Sequence, residues 1–106
     1  MEKKRIKTVL SNKYFSQVKP LILHELKGEK VRVILFGSRV RGGAGKTSDI
    51  DIGVIPHNGI SPKKMSSLEE KIDNLNIPYM VDLVNLSEAG KTFYRASLKD
   101  AIIWKD

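Results

Sequence analysis

Cysteine is absent from all 106 residues of this chain. That excludes disulfides, thiolate zinc sites and cysteine nucleophiles together, and it fits a cytoplasmic protein. Long apolar runs are absent as well, and none approaches the roughly 20 residues of a membrane-spanning helix. Met1 to Lys7 is basic with no apolar segment behind it, so no secretory leader is expected. Repeats and low-complexity stretches are missing too. The chain shows no helix-turn-helix pattern and no strand-borne aromatic platform, which removes the usual supports for nucleic-acid recognition.

What remains suits a small globular protein, with 41% hydrophobic and 29% charged residues. The length predicts one domain over 1–106, of which 1–10 is a basic, flexible N-terminal segment. A chain this short has little left over for a deep cleft, so an open active site completed by a partner is expected. Lys and Arg outnumber Asp and Glu by 19 to 12, a formal charge of +7. Such a surface attracts polyanions, whether nucleotide phosphates, nucleic acid or an acidic partner. The Lys3-Lys4-Arg5 cluster and Lys7 hold part of that excess and read as a solvated tail.

Hydrophobic spacing predicts a first helix from Tyr14, Phe15, Val18, Leu21, Ile22 and Leu26, with Ser11 or Asn12 as its cap and Gly28 as its stop. Pro20 either kinks that helix or marks the start of a shorter one. Val31 to Phe36 is β-branched and apolar, and predicts a buried strand. Gly37 to Ser48 must hold a turn and a short helix. Asp49 to Ile55 predicts a second strand. Ser61-Pro62 opens a helix to about Leu75, with Met65, Leu68, Ile72 and Leu75 inward. Tyr79 to Leu86 predicts a third strand. Ser87 is expected to cap a helix to about Leu98, with Ala89, Phe93 and Ala96 or Leu98 inward. A last strand is predicted at Ala101 to Trp104. The order is that of an α/β fold with a small mixed sheet flanked by helices.

Three carboxylates carry the chemistry. Side chains alternate along a strand, so Asp49 and Asp51 share one face while Ile50, Ile52 and Val54 take the other. Two acids one pleat apart are costly without a cation, and Mg²⁺ prefers oxygen ligands. Asp82 stands in an apolar strand, Val81-Asp82-Leu83-Val84, where aspartate is a poor strand former. A neighbouring strand that set Asp82 beside the pair would complete a site for two metals about 3.5–4 Å apart. Asp73 is nearby in sequence but reads as an exposed helix residue.

Upstream, Gly37 lets backbone approach a ligand closely, and Ser38 adds a hydroxyl and an N–H donor. Arg39 and Arg41 are assigned to phosphate or partner contact, with solvent-facing side chains as the alternative. Gly45-Lys46-Thr47 is not read as a P-loop. That motif needs glycine five residues before Gly45, where Val40 stands, and a helix behind it rather than a strand. His24 and His57 read as surface residues, and Tyr94 and Trp104 as packing residues.

Gly37-Ser38, ten residues, then Asp49-x-Asp51 resembles the signature of the polymerase-β-like nucleotidyltransferase superfamily. The fuller form, Gly-Ser-Arg-x-Arg-Gly with Ser-Asp-Ile-Asp, looks like its smallest members. Those are minimal nucleotidyltransferases encoded beside HEPN-domain proteins as toxin–antitoxin pairs. The likeness runs from the first helix through the Asp82 strand. It implies that Gly37 and Ser38 bind the triphosphate of ATP or another NTP. It implies that Asp49 and Asp51 ligate both metals, and that Asp82 completes the nucleophile-side site and helps activate the attacking hydroxyl. It also implies transfer of AMP to a tyrosine of a HEPN partner, which silences that toxin. The chain departs from the pattern at Val40 and Gly53, where alanine is frequent, and in a more basic, glycine-rich 43–47 loop. These changes leave the carboxylates in place and bear on loop geometry and nucleotide preference.

Three function classes follow. The enzyme reading rests on the trio Asp49, Asp51 and Asp82. A non-catalytic antitoxin acting by contact alone is favoured by the short chain but needs no crowded acids. A nucleic-acid-binding domain has only the net charge behind it. The enzyme is the expected answer, with homo-oligomer formation left open.

Overall fold

The predicted alternation of helix and strand is borne out in the computed structural model, which describes residues 15–37, 50–77 and 80–106. Its elements are α1 (Phe15–Glu25), β1 (Val31–Phe36), β2 (Ile50–Pro56), α2 (Pro62–Asp73), β3 (Val81–Asn85), α3 (Lys91–Leu98) and β4 (Ile102–Lys105). One 3₁₀ turn, Leu86–Glu88, joins β3 to α3. The four strands form a single sheet in the order β3-β2-β1-β4. β1 runs antiparallel to β2 and β4, and β2 runs parallel to β3. The fold is therefore the mixed α/β sheet expected. Ser11, Asn12, Tyr14 and the short helix predicted within Gly37 to Ser48 lie outside the described residues, Gly37 itself excepted.

Strand alternation divides the core between two faces. Val31, Val33 and Leu35 of β1 and Ile50, Ile52 and Val54 of β2 point to one face. Val18, Ile22 and Leu26 at the α1 end of the chain and Leu68 and Ile72 of α2 cover it. All of these are at most 3% exposed. Burying each such side chain stabilises the fold by about 1.5–3 kcal/mol before entropy is subtracted. On the opposite face Ile34, Phe36 and Leu86 make a smaller core, joined by Val84, Ala89 and Tyr94.

Local chemistry explains the element ends. The Ser61 hydroxyl accepts from the Lys64 N–H at 3.0 Å, and Pro62 opens α2 where a missing N–H costs nothing. Gly28 takes φ +89° beyond the end of α1, a left-handed conformation that glycine adopts freely. Pro20 sits inside α1, exposed to solvent, so the helix begins before it rather than at it.

The third helix departs from expectation. Ser87 does not cap it. The Asn85 Oδ1 accepts both the Ser87 N–H at 3.0 Å and its hydroxyl at 2.6 Å, and this closes the 3₁₀ turn instead. Ala89 is extended, and α3 starts afresh after Gly90. The helical phase counted from Ala89 therefore does not carry across. Ala89 packs as predicted, but α3 docks through Tyr94 and the buried Ser97, three residues apart. Phe93, Ala96 and Leu98 are exposed.

Gly53 gains a reason here. A Cβ on it would lie 2.5 Å from Leu86 Cδ1 and 3.1 Å from Ile34 Cγ1. Gly53→Ala should destabilise the protein by about 1–3 kcal/mol through overpacking. In a Leu86→Ala background the same change should cost much less, which a denaturant double-mutant cycle would read as coupling. A second prediction concerns the ion pair between Lys71 Nζ of α2 and Glu25 Oε1 of α1, 2.8 Å apart. The hydrogen bond from Lys71 holds the Glu25 carboxyl below its ordinary value of 4.5. A depressed carboxylate stabilises the fold above that value, and the contribution is lost as pH falls through the lower folded one. Urea midpoints of wild type and Lys71→Met should differ at pH 7 and converge below pH 4.5.

Candidate active site

At one end of the sheet β1 stops while β2 and β3 begin, and the acids gather there. Asp51 and Asp82 are register partners across the parallel β2–β3 pair. Partners in register project from the same side of the sheet, about 4.8 Å apart at the backbone. Asp51 also stands opposite Phe36, the last residue of β1. Ile50 and Ile52 are buried on the other face at 1% and 0% exposure, and their burial holds Asp51 on this one. Val81 and Leu83 pack toward that same core and do the same for Asp82.

Both carboxylates line an open cavity of about 400 Å³. Its floor is Phe36 and Gly37, and its opposite wall is Phe93, Ala96 and Ser97 of α3. Among these described lining residues none is basic. Gly37 has φ +94°, which disfavours any side chain. A Cβ there would also run into the Asp51 carboxylate, 3.1 Å from its Cγ and closer still to Oδ2. Glycine is required at position 37 for both reasons, and the chain leaves the sheet directly beneath Asp51.

Of the residues singled out from sequence, Gly37, Asp51 and Asp82 are brought together. Ser38, Arg39, Arg41, Lys46 and Asp49 lie outside the described residues. No third metal-binding side chain joins Asp51 and Asp82 among the described ones. Asp73 ends α2 exposed, and His24 and His57 are exposed too, as predicted. Trp104 packs against the larger core with Lys19 Nζ 5.7 Å from its ring centroid.

Sequence reasoning missed the α3 wall. Ser97 is buried and its hydroxyl donates to the Tyr94 carbonyl at 2.7 Å, so it is a satisfied structural group. Phe93 was expected inside; instead it stands at the cavity edge, its ring perpendicular to that of Phe36 with centroids 6.0 Å apart. The i, i+3 pair Tyr94 and Ser97 was the available signal for the true inward face.

Known proteins resemble this chain in sequence and fold. A probable protein adenylyltransferase MntA of Haemophilus influenzae is 33% identical over 58 residues, which is 55% of this chain and 51% of that protein. The chain thus spans about half the length of the relative it matches. A chain of a toxin–antitoxin crystal structure with AMP-PNP superposes with a TM-score of 0.63 at 25% identity, over 81% of this chain and 71% of that one. A chain from the complex of a tri-AMPylated Shewanella oneidensis HEPN toxin with an MNT antitoxin gives 0.59 at 22% identity, over 84% and 70%, and speaks for the fold alone. Residues 17–105 match the polymerase beta nucleotidyltransferase family, a span that takes in every described strand and the cavity's described lining, and to that family this chain belongs.

Proposed function

We propose that this chain is a Mg²⁺-dependent nucleotidyltransferase that moves AMP from ATP to a tyrosine hydroxyl of a HEPN-domain partner, and so acts as its antitoxin in the cytoplasm. The observation that carries the reading is the register of Asp51 with Asp82 beside Gly37, on one open cavity. The similarity to a probable protein adenylyltransferase and to a toxin–antitoxin complex with AMP-PNP supports the choice of AMP and of a protein acceptor, and the sequence resemblance supplies the HEPN partner.

The donor set fits the metal. Two adjacent carboxylates offer hard oxygen ligands, which Mg²⁺ prefers over nitrogen and sulfur. In this reading Asp49, Asp51 and Asp82 hold the ions. When bound, Mg²⁺ offsets the phosphate charge and eases ionisation of the acceptor hydroxyl. Gly37 and Ser38 cradle the triphosphate with backbone N–H groups and a hydroxyl, and Arg39 and Arg41 pair with its oxygens. The acceptor oxygen attacks the α-phosphorus as the bond to the β-phosphate oxygen breaks. AMP stays on the acceptor and pyrophosphate leaves. Asp82 faces the same cavity as Asp51 from the sheet edge, where an incoming hydroxyl can surrender its proton to it.

The open site also suits a large acceptor. An open cavity admits a protein segment. A partner that closes over it would exclude water and strengthen the electrostatics inside.

Asp82→Asn should lower AMP transfer to the partner by about 10²-fold or more while the melting temperature holds or rises, since one of two like charges is removed. Mass spectrometry of the partner and thermal unfolding check the two halves. An unchanged transfer rate would remove Asp82 from the mechanism. Gly37→Ala should lose both stability and ATP affinity, because its new methyl displaces the Asp51 carboxylate; circular dichroism melts with nucleotide titration read both.

A further inference from the structure

Phe93 is 48% exposed, although the next residue, Tyr94, is partly buried and Ser97, one turn on, is buried. An exposed apolar side chain is by itself ordinary. This one is not placed at random. It walls the cavity that holds Asp51 and Asp82. Phe36 meets it edge to face, with an interplanar angle of 83°, and fixes the plane of its ring. Phe36 is itself only 6% exposed, so the support is rigid. Phe36 also immediately precedes Gly37, so the ring and the glycine turn share one stretch of backbone.

The rest of the α3 wall is small and uncharged. Ala96 adds a methyl group, and the Ser97 hydroxyl is committed to the Tyr94 carbonyl. One wall of the cavity therefore carries two carboxylates, and the other carries a half-exposed aromatic ring. A molecule that is anionic at one end and flat and aromatic at the other matches both.

We infer that Phe93 is the stacking platform for the nucleotide base. This rests on the nucleotide-binding reading of the same site and extends it to a residue outside the carboxylate and glycine set. Stacking on a π-face tolerates every base, so Phe93 positions the substrate without selecting adenine by hydrogen bonds. The edge contact with Phe36 leaves a platform already oriented before the nucleotide arrives, which limits the ordering cost of binding.

Equilibrium binding of Mg²⁺·ATP and of Mg²⁺·tripolyphosphate, measured side by side, separates base from phosphate. Phe93→Ala should weaken ATP about ten-fold or more and leave tripolyphosphate unchanged. Phe93→Leu, which keeps apolar bulk but no ring, should resemble Phe93→Ala, and Phe93→Tyr should bind like wild type. The exposed position means all three variants should melt near the wild-type temperature. Equal ATP affinity in wild type and Phe93→Ala would overturn the assignment. So would equal losses for both ligands, which would make the ring a prop for Phe36. A raised acceptor KM or weaker partner association with ATP affinity intact would assign Phe93 to the partner and overturn it as well. If wild type binds neither ligand, the nucleotide reading itself fails and this assignment falls with it. If wild type binds both and only the ring variants are silent, the nucleotide reading stands while the platform does not.

Discussion

The parallel pairing of β2 with β3 sets Asp51 beside Asp82, and the rest of the site is built around that register. A slip of one residue would send Asp82 through the sheet and into the apolar core. What prevents it is the alternation on the other face. Ile50, Ile52 and Val54 fill the core beneath α1 and α2, with Val81 and Leu83 packed beside them. The hydrophobic residues thus do the positioning, and the acids occupy the places left to them. This explains why a chain so small can hold two carboxylates in register without a dedicated scaffold.

The second face is shaped by what it omits. Gly37 and Gly53 both lie where a methyl group would collide, with the Asp51 carboxylate in one case and with Leu86 and Ile34 in the other. Leu86 anchors the 3₁₀ turn over Gly53, and that turn resets the phase of α3. The helix then meets the sheet through Tyr94 and Ser97 and leaves Phe93 at the edge of the cavity. Glycine at position 53, in place of a frequent alanine, is therefore tied to how closely the connection to α3 lies on the sheet.

Much of this was legible in the sequence because the signals were redundant. Val31 to Phe36 was a run of apolar, largely β-branched residues, and β1 has those same bounds. Ser61-Pro62 marked the start of α2 through cap chemistry and a fixed φ together. Asp82 stood out as an acid in an apolar strand, and its neighbour across the sheet proved to be Asp51. The segment after β3 was harder. Ser87 has the chemistry of a cap, and nothing local says that Asn85, two residues earlier, will engage its hydroxyl first. The inward face of α3 was lost with it, because an extended residue at Ala89 breaks the count on which helical phase depends. Phe93 was consequently assigned to packing, whereas it is half-exposed and lines the cavity.

In the proposed mechanism Asp51 and Asp82 hold a nucleotide through a divalent cation. Calorimetric titration of ATP into the protein, with Mg²⁺ and then with EDTA, tests it on wild type and on the Asp51→Asn/Asp82→Asn double variant. The account predicts metal-dependent heat from wild type that EDTA abolishes, and none from a double variant that still melts cooperatively. Equal binding by the double variant, or binding indifferent to EDTA, would contradict it.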